Sequence, residues 1–154
     1  MLSDIVIDTN VLVHAQNPSV ERFVESRNLL NMLLACATML CVDEGFNFNQ
    51  TENRSFIGLE YLKHLTPGSV SFQFVVSLAS NGRIKRLPKN AVQQSKKIIN
   101  QLIRKQSDRI FLSVACNSSD KTLISHDYED FQIQKRKTLK QKLGVIILAA
   151  NECM

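Results

Sequence analysis

The chain has 154 residues, a formal charge of +5 and a composition that is 44% hydrophobic and 21% charged, with only five Gly and three Pro. These figures exclude a disordered, collagen-like or linker-rich chain and predict a single globular domain over residues 1–154 with a substantial core. The longest apolar stretch, residues 29–42, is interrupted by Asn31 and Thr38 and falls short of the roughly 20 residues that span a bilayer, so no membrane association is expected. Asp4 and Asp8 stand where a secretory leader carries a basic patch and then an apolar run, which predicts a cytoplasmic protein. Cys36, Cys41, Cys116 and Cys153 form no C-x-x-C pair and have no His at zinc-ligand spacing, so reduced core thiols are expected. His14, His64 and His126 are scattered, and the sequence assigns them no role.

In chain order, residues 4–8 form a short β-branched apolar run, the pattern of a buried first strand in a parallel sheet. Asn17-Pro18-Ser19 starts a long helical segment, with Ser19 as N-cap and Val20, Phe23, Val24, Leu30, Leu33 and Leu34 as its apolar positions. Residues 38–42 are the second strand, and 43–53 an irregular excursion. Helical spacing resumes over 55–65 through Phe56, Leu59 and Leu62, breaks at Thr66-Pro67-Gly68, and returns over 69–80 until Asn81-Gly82. Residues 83–109 hold nine Lys/Arg and one acid, Asp108, around a helix with Val92, Ile98, Ile99, Leu102 and Ile103 on its inner side. Ser107-Asp108 opens the next helix, residues 122–125 form a third strand, 135–142 a basic exposed helix, and 145–148 a last apolar strand after Gly144. Short buried strands alternating with helices predict an α/β fold: three-layer α/β/α with a central, mostly parallel sheet.

The charge is unevenly placed. Residues 1–80 hold four Lys/Arg against eight Asp/Glu, and residues 81–154 hold fifteen against six. A basic half of this kind attracts a polyanion, although a solvated Lys-rich helix face has the same composition.

In an open parallel sheet, ligands collect at the carboxyl ends of the strands. Asp8 follows the first strand, Asp127 lies two residues beyond the third, and Asp108 stands at the start of the helix that precedes it. Singly, each has a structural alternative: a helix cap for Asp8, a first-turn acid for Asp108, an Asx-turn for Asp127. Together they resemble the PIN domain family of metal-dependent ribonucleases. Ile5-Val6-Ile7-Asp8-Thr9-Asn10-Val11-Leu12 is similar to the family's opening strand and acid, and Asp108-Arg109-Ile110-Phe111-Leu112-Ser113-Val114-Ala115 to its third-acid helix. Leu123-Ile124-Ser125-His126-Asp127-Tyr128-Glu129-Asp130-Phe131 resembles its closing strand, hydroxyl residue, acid and Asp-Phe. For the family's second acid the sequence offers Asp43, Glu44, Glu52 and Glu60; Glu60-Tyr61 resembles the Glu-Tyr of one PIN subgroup and is preferred, with Glu44 next.

The resemblance implies a PIN-like fold and an endoribonuclease acting on single-stranded or structured RNA. Gathered carboxylates repel one another unless a cation neutralises them, and Mg²⁺ or Mn²⁺ suits oxygen ligands and phosphate alike. Asp8, Asp108, Asp127 and Glu60 would be the metal-binding and catalytic set, with Asn10 orienting Asp8 and Ser125 holding a water or phosphate oxygen. Lys85, Arg86, Lys89, Lys96, Lys97, Arg104 and Lys105 would hold the nucleic-acid backbone. The resemblance also admits a toxin held by an antitoxin protein, and a homodimer. A haloacid-dehalogenase-type phosphatase needs an aspartate where Asn10 stands, and a receiver domain needs an acidic pair that the first strand lacks. A PIN-like module that binds RNA or protein without catalysis is the remaining alternative.

Overall fold

Ile and Val dominate the segments that become strands, and their side chains are buried on both sides, so the sheet they form is covered on both faces. In the computed structural model, which describes residues 2–153, the strands are β1 (Asp4–Ile7), β2 (Met39–Asp43), β3 (Ile84–Leu87), β4 (Thr122–Ile124) and β5 (Ile146–Leu148). They form one sheet in the order β3-β2-β1-β4-β5, and every pairing is parallel. The register aligns Ile5 with Leu40 and Leu40 with Ile84, and on the other side of β1 it aligns Ile7 with Ile124.

Seven α-helices surround the sheet among the described residues: α1 (Thr9–Ala15), α2 (Phe23–Leu34), α3 (Phe56–His64), α4 (Val70–Ser80), α5 (Gln93–Leu102), α6 (Gln106–Asn117) and α7 (Ile133–Leu143). The chain moves outward from β1 through β2 to β3, then crosses back to β4 and on to β5. Right-handed crossovers in opposite directions place α1 to α4 on one face and α5 to α7 on the other. The packing agrees: α1 meets α2, α3 and α4, α5 meets α6 and α7, and α6 lies on β1, β2 and β4. The expected three-layer α/β/α architecture is therefore the one observed, with a fully parallel sheet. No helix among the described residues is long and apolar enough to cross a membrane.

Two elements differ from the sequence expectation. β3 lies inside the basic stretch, where Ile84-Lys85-Arg86-Leu87 has only two apolar residues because an edge strand is half solvated. The helical segment expected from Ser19 begins later, at Phe23: Ser19 sits in the turn before α2, whose N-cap is Arg22, and an additional helix, α1, starts directly after Asp8. With seven residues and Val11, Leu12 and Ala15 as its buried positions, α1 is too short to show a 3.6-residue period. All four cysteines carry free thiols, and burial pushes Cys41 up to about 12 and Cys116 up to about 11.

Asp43, offered by the sequence as a second acid, has a structural task. Its carboxylate accepts hydrogen bonds from Ser55 Oγ, from Phe56 N at 2.7 Å and from Ile57 N at 2.9 Å, while Ser55 Oγ accepts from Gly58 N at 2.8 Å. The buried carboxylate and the Ser55 cap together satisfy the first turn of α3, where the helix dipole favours negative charge. Asp43→Ala would leave these donors buried and unpaired, at an expected cost of about 2–4 kcal/mol in urea unfolding. A loss under about 1 kcal/mol would contradict the anchoring role.

Candidate metal centre

β1 and β4 are neighbours whose following connections leave toward opposite faces, so a crevice opens outside their carboxyl ends. Each strand delivers an acid into it. Asp8 N donates to Ile124 O at 2.9 Å, tying the two strand ends together. The Asp8 side chain makes no capping hydrogen bond to α1; Oδ2 accepts from Ser125 Oγ at 2.7 Å and from Asn10 Nδ2 at 3.3 Å. Asn10 Oδ1 accepts from His126 N at 3.1 Å, and Ser125 Oγ accepts from Asp127 N at 3.1 Å. Asn10 and Ser125 thus hold the Asp8 carboxylate and the chain leading to Asp127 in one hydrogen-bonded frame.

Asp127 does form the Asx-turn: Oδ1 accepts from Glu129 N and Asp130 N, each at 3.0 Å. That turn swings Asp130 back toward the crevice, where Asp108, Asp127 and Asp130 each place a carboxylate oxygen within 4.8 Å of the other two. Asp130 is the member that sequence reading left out of the site. Its signal was the D-x-x-D spacing of Asp127 and Asp130 after a strand that ends at the switch point. Arg136, expected on an exposed helix face, is half-buried and fixes this loop. Its guanidinium donates to Phe131 O at 2.6 Å, Ser125 O at 3.2 Å and Asp127 O at 3.0 Å, and lies 4.0 Å from the Tyr128 ring centroid.

The electrostatics are those of crowded buried acids. Burial pushes the Asp8 carboxyl up to about 6, with the Asp127 charge adding to the rise and the Ser125 hydroxyl opposing it. Asp108 is pushed up to about 8, first by burial, then by the adjoining Asp130 carboxyl and by the charges of Asp8 and Asp127. Asp130 stays below the usual carboxylate range although burial alone would raise it, because a proton shared with Asp108 and the Lys105 ammonium, 3.1 Å away, favour its charged form. Without that proton, Asp108 Oδ2 is buried with no hydrogen-bond partner.

Beside the trio lies a cavity of about 300 Å³ whose wall includes Asp8, Asn10, His14, Glu60, His64 and Asp108. Of the four acids weighed as the second, Glu60 is the one on this wall, with Oε2 3.1 Å from His64 Nε2. It lies next to Tyr61, whose hydroxyl donates to Ile7 O and whose ring lies 6.5 Å from that of Phe111. Glu44 is exposed and lines a separate cavity of about 190 Å³ with Asp43, Arg54 and Lys89, while Glu52 accepts from Asn47 in the 43–53 excursion.

The basic residues do not form one rim around this crevice. The Lys85 ammonium is 2.7 Å from Asp4 Oδ2 and donates to Ser119 Oγ, at the amino edge of the sheet, away from the crevice. Arg86 donates to Phe46 O at 3.1 Å and packs over the Phe46 ring. Asn117, at the C-terminus of α6, donates to Pro88 O and Asn90 O, so α5 enters from the end of α6 opposite Asp108. The exposed Lys96 and Lys97 lie near that entry, whereas Arg104 and Lys105 immediately precede α6, and Lys105 reaches Asp130 of the acidic trio. No protein-family model matches the chain, and neither does any curated protein sequence.

Proposed function

We propose that the chain is a metal-dependent endoribonuclease of the PIN type, with Asp8, Asp108, Asp127 and Asp130 around a Mg²⁺ or Mn²⁺ site and Glu60 on the wall of the adjoining substrate cavity. The observation that carries this is the buried, unpartnered Asp108 Oδ2 within a trio of carboxylate oxygens at the sheet's switch point. The donors are all hard carboxylate oxygens, which fits these cations and disfavours softer ones. When bound, such a cation supplies neutralising charge and an activated water for phosphodiester hydrolysis. Ser125 and Asn10 orient Asp8, Arg136 holds the loop that presents Asp127 and Asp130, and Glu60 is placed to accept a proton from water or substrate in the cavity. Lys105 is 64% exposed at its side chain, so its ammonium leaves Asp130 for solvent at small cost.

The same Lys105–Asp130 pair favours a second reading, in which the ammonium permanently replaces the cation and the protein binds RNA without cutting it. Incubation of single-stranded RNA with Mn²⁺ or with chelator separates the two. Cleavage by the parent in Mn²⁺ alone, lost in Asp127→Asn, is the expected result; intact RNA in every tube refutes the nuclease.

Placement of the basic residues predicts which of them meet phosphate. In an Asp127→Asn background, Arg104→Gln with Lys105→Gln should reduce the slope of log affinity against log salt by about 1.4, at about 0.7 per lost phosphate contact for single strands. Lys96→Gln with Lys97→Gln should leave the slope close to that of the parent. Equal effects of the two pairs would restore the broad basic surface that the sequence predicts.

A further inference from the structure

His14 is assigned no role by the sequence, yet the structure fixes the position of its proton. The Ala150 backbone N–H donates to His126 Nε2 at 3.0 Å. A backbone N–H only donates, so Nε2 of His126 carries the lone pair and the proton of its neutral ring is on Nδ1. That Nδ1 lies 2.8 Å from Nδ1 of His14, with the two rings stacked at an interplanar angle of 13°. His14 Nδ1 is therefore the acceptor, and the His14 proton is on Nε2. The two hydrogen bonds thus leave Nε2 as the donor atom of the His14 ring.

His14 lines the cavity shared by Asp8, Glu60 and Asp108. Its Nε2–H has no hydrogen-bond partner among the described residues, while the Asn10 amide is engaged by Asp8 and His126 N, and His64 Nε2 is paired with Glu60. The acids on this wall repel a phosphodiester, and a Lys or Arg in place of His14 would ion-pair with them. A neutral N–H does neither: it bonds a phosphate oxygen and leaves the carboxylates free for a cation.

We infer that His14 is a substrate-binding residue whose Nε2–H donates to a non-bridging oxygen of the bound phosphodiester, and that His126 is the positioning residue that holds His14 in this tautomer. The inference rests on the nuclease reading of the site and adds to it a neutral donor for the phosphate.

Nitrogen-15 NMR of the histidine rings tests the tautomers without reference to activity. The expected pattern is His126 protonated on Nδ1 and His14 on Nε2; His14 protonated on Nδ1 overturns the inference. Titrating adenosine monophosphate with Mg²⁺ into the parent should shift the His14 Nε2–H resonance, and a resonance that stays put while those of Asp8 and Asp108 move also overturns it. In steady-state cleavage of a short single-stranded RNA, His14→Phe should raise KM about tenfold with kcat within about threefold, the loss of one hydrogen bond to a charged oxygen. His14→Gln, which places an amide N–H near the lost Nε2–H, should return KM to within about threefold of the parent. A folded His14→Phe with the parent's KM removes His14 from the substrate and leaves the nuclease standing, whereas a parent with no metal-dependent cleavage removes both. Should His14→Phe fail to fold, the NMR titration and the glutamine variant decide alone.

Discussion

Replacing Asp108 with Asn is expected to abolish Mn²⁺-dependent RNA cleavage while raising the melting temperature of the metal-free protein at pH 8. The two effects share one cause, the price the fold accepts for a buried carboxylate with no partner for Oδ2. In the folded chain the Asp108 carboxyl titrates near 8, against an ordinary 3.8. Between those values the unfolded chain has already lost the proton that the folded chain retains, so stability falls as pH rises from about 4 to about 8. Asn keeps the shape and has no charge to lose, so its advantage is absent at pH 4 and full at pH 8. Because Asp130 and Lys105 share the strain, the gain is expected at about 1–2 kcal/mol, or about 3–6 °C for a chain of this length. Calorimetric scans in chelator at both pH values check it. A variant that melts below the parent at pH 8 would show that the carboxylate is stabilised by the fold, and the site would lose its motive for binding a cation.

How much of this site was legible depended on how local each signal is. Ile5-Val6-Ile7 followed by Asp8 carries strand, strand end and acid within four consecutive residues, and Leu123-Ile124-Ser125 with Asp127 does so within five, so the two halves of the crevice were readable. Asp130 had only its spacing from Asp127 as a signal, because its place in the trio comes from the Asx-turn at Asp127 and from Arg136, which reaches back from α7 to the carbonyls of Ser125 and Asp127. In sequence Arg136 is one more charge in a basic run. The His14–His126 contact joins residues 112 apart and is created by the pairing of β1 with β4, which puts α1 beside the loop after β4. Lys85 misled for the opposite reason: composition places it in a basic stretch, but β3 carries it to the amino edge and into contact with Asp4. Periodicity reports burial, and it is silent on which surface charges are already paired.

Affinity for Mn²⁺ should rise with pH, with a slope that counts the protons the site must shed. Asp8 titrates near 6 and Asp108 near 8, so a cation binding at pH 5 displaces a proton from each, and one binding at pH 7 displaces the Asp108 proton alone. Log affinity is therefore expected to climb with a slope of about two below pH 6, about one between 6 and 8, and to level off above 8. Isothermal titration at pH 7 in buffers of different ionisation heat should register about one proton released per Mn²⁺ bound, falling to none in Asp108→Asn. Lys105→Gln separates displacement of the ammonium from displacement of the proton, since an exposed ion pair contributes little and its loss should leave the proton count near one. Binding that releases no proton at pH 7 in the parent would place the cation away from Asp108, and the acidic trio would then be a feature of the loop after β4 rather than a metal centre.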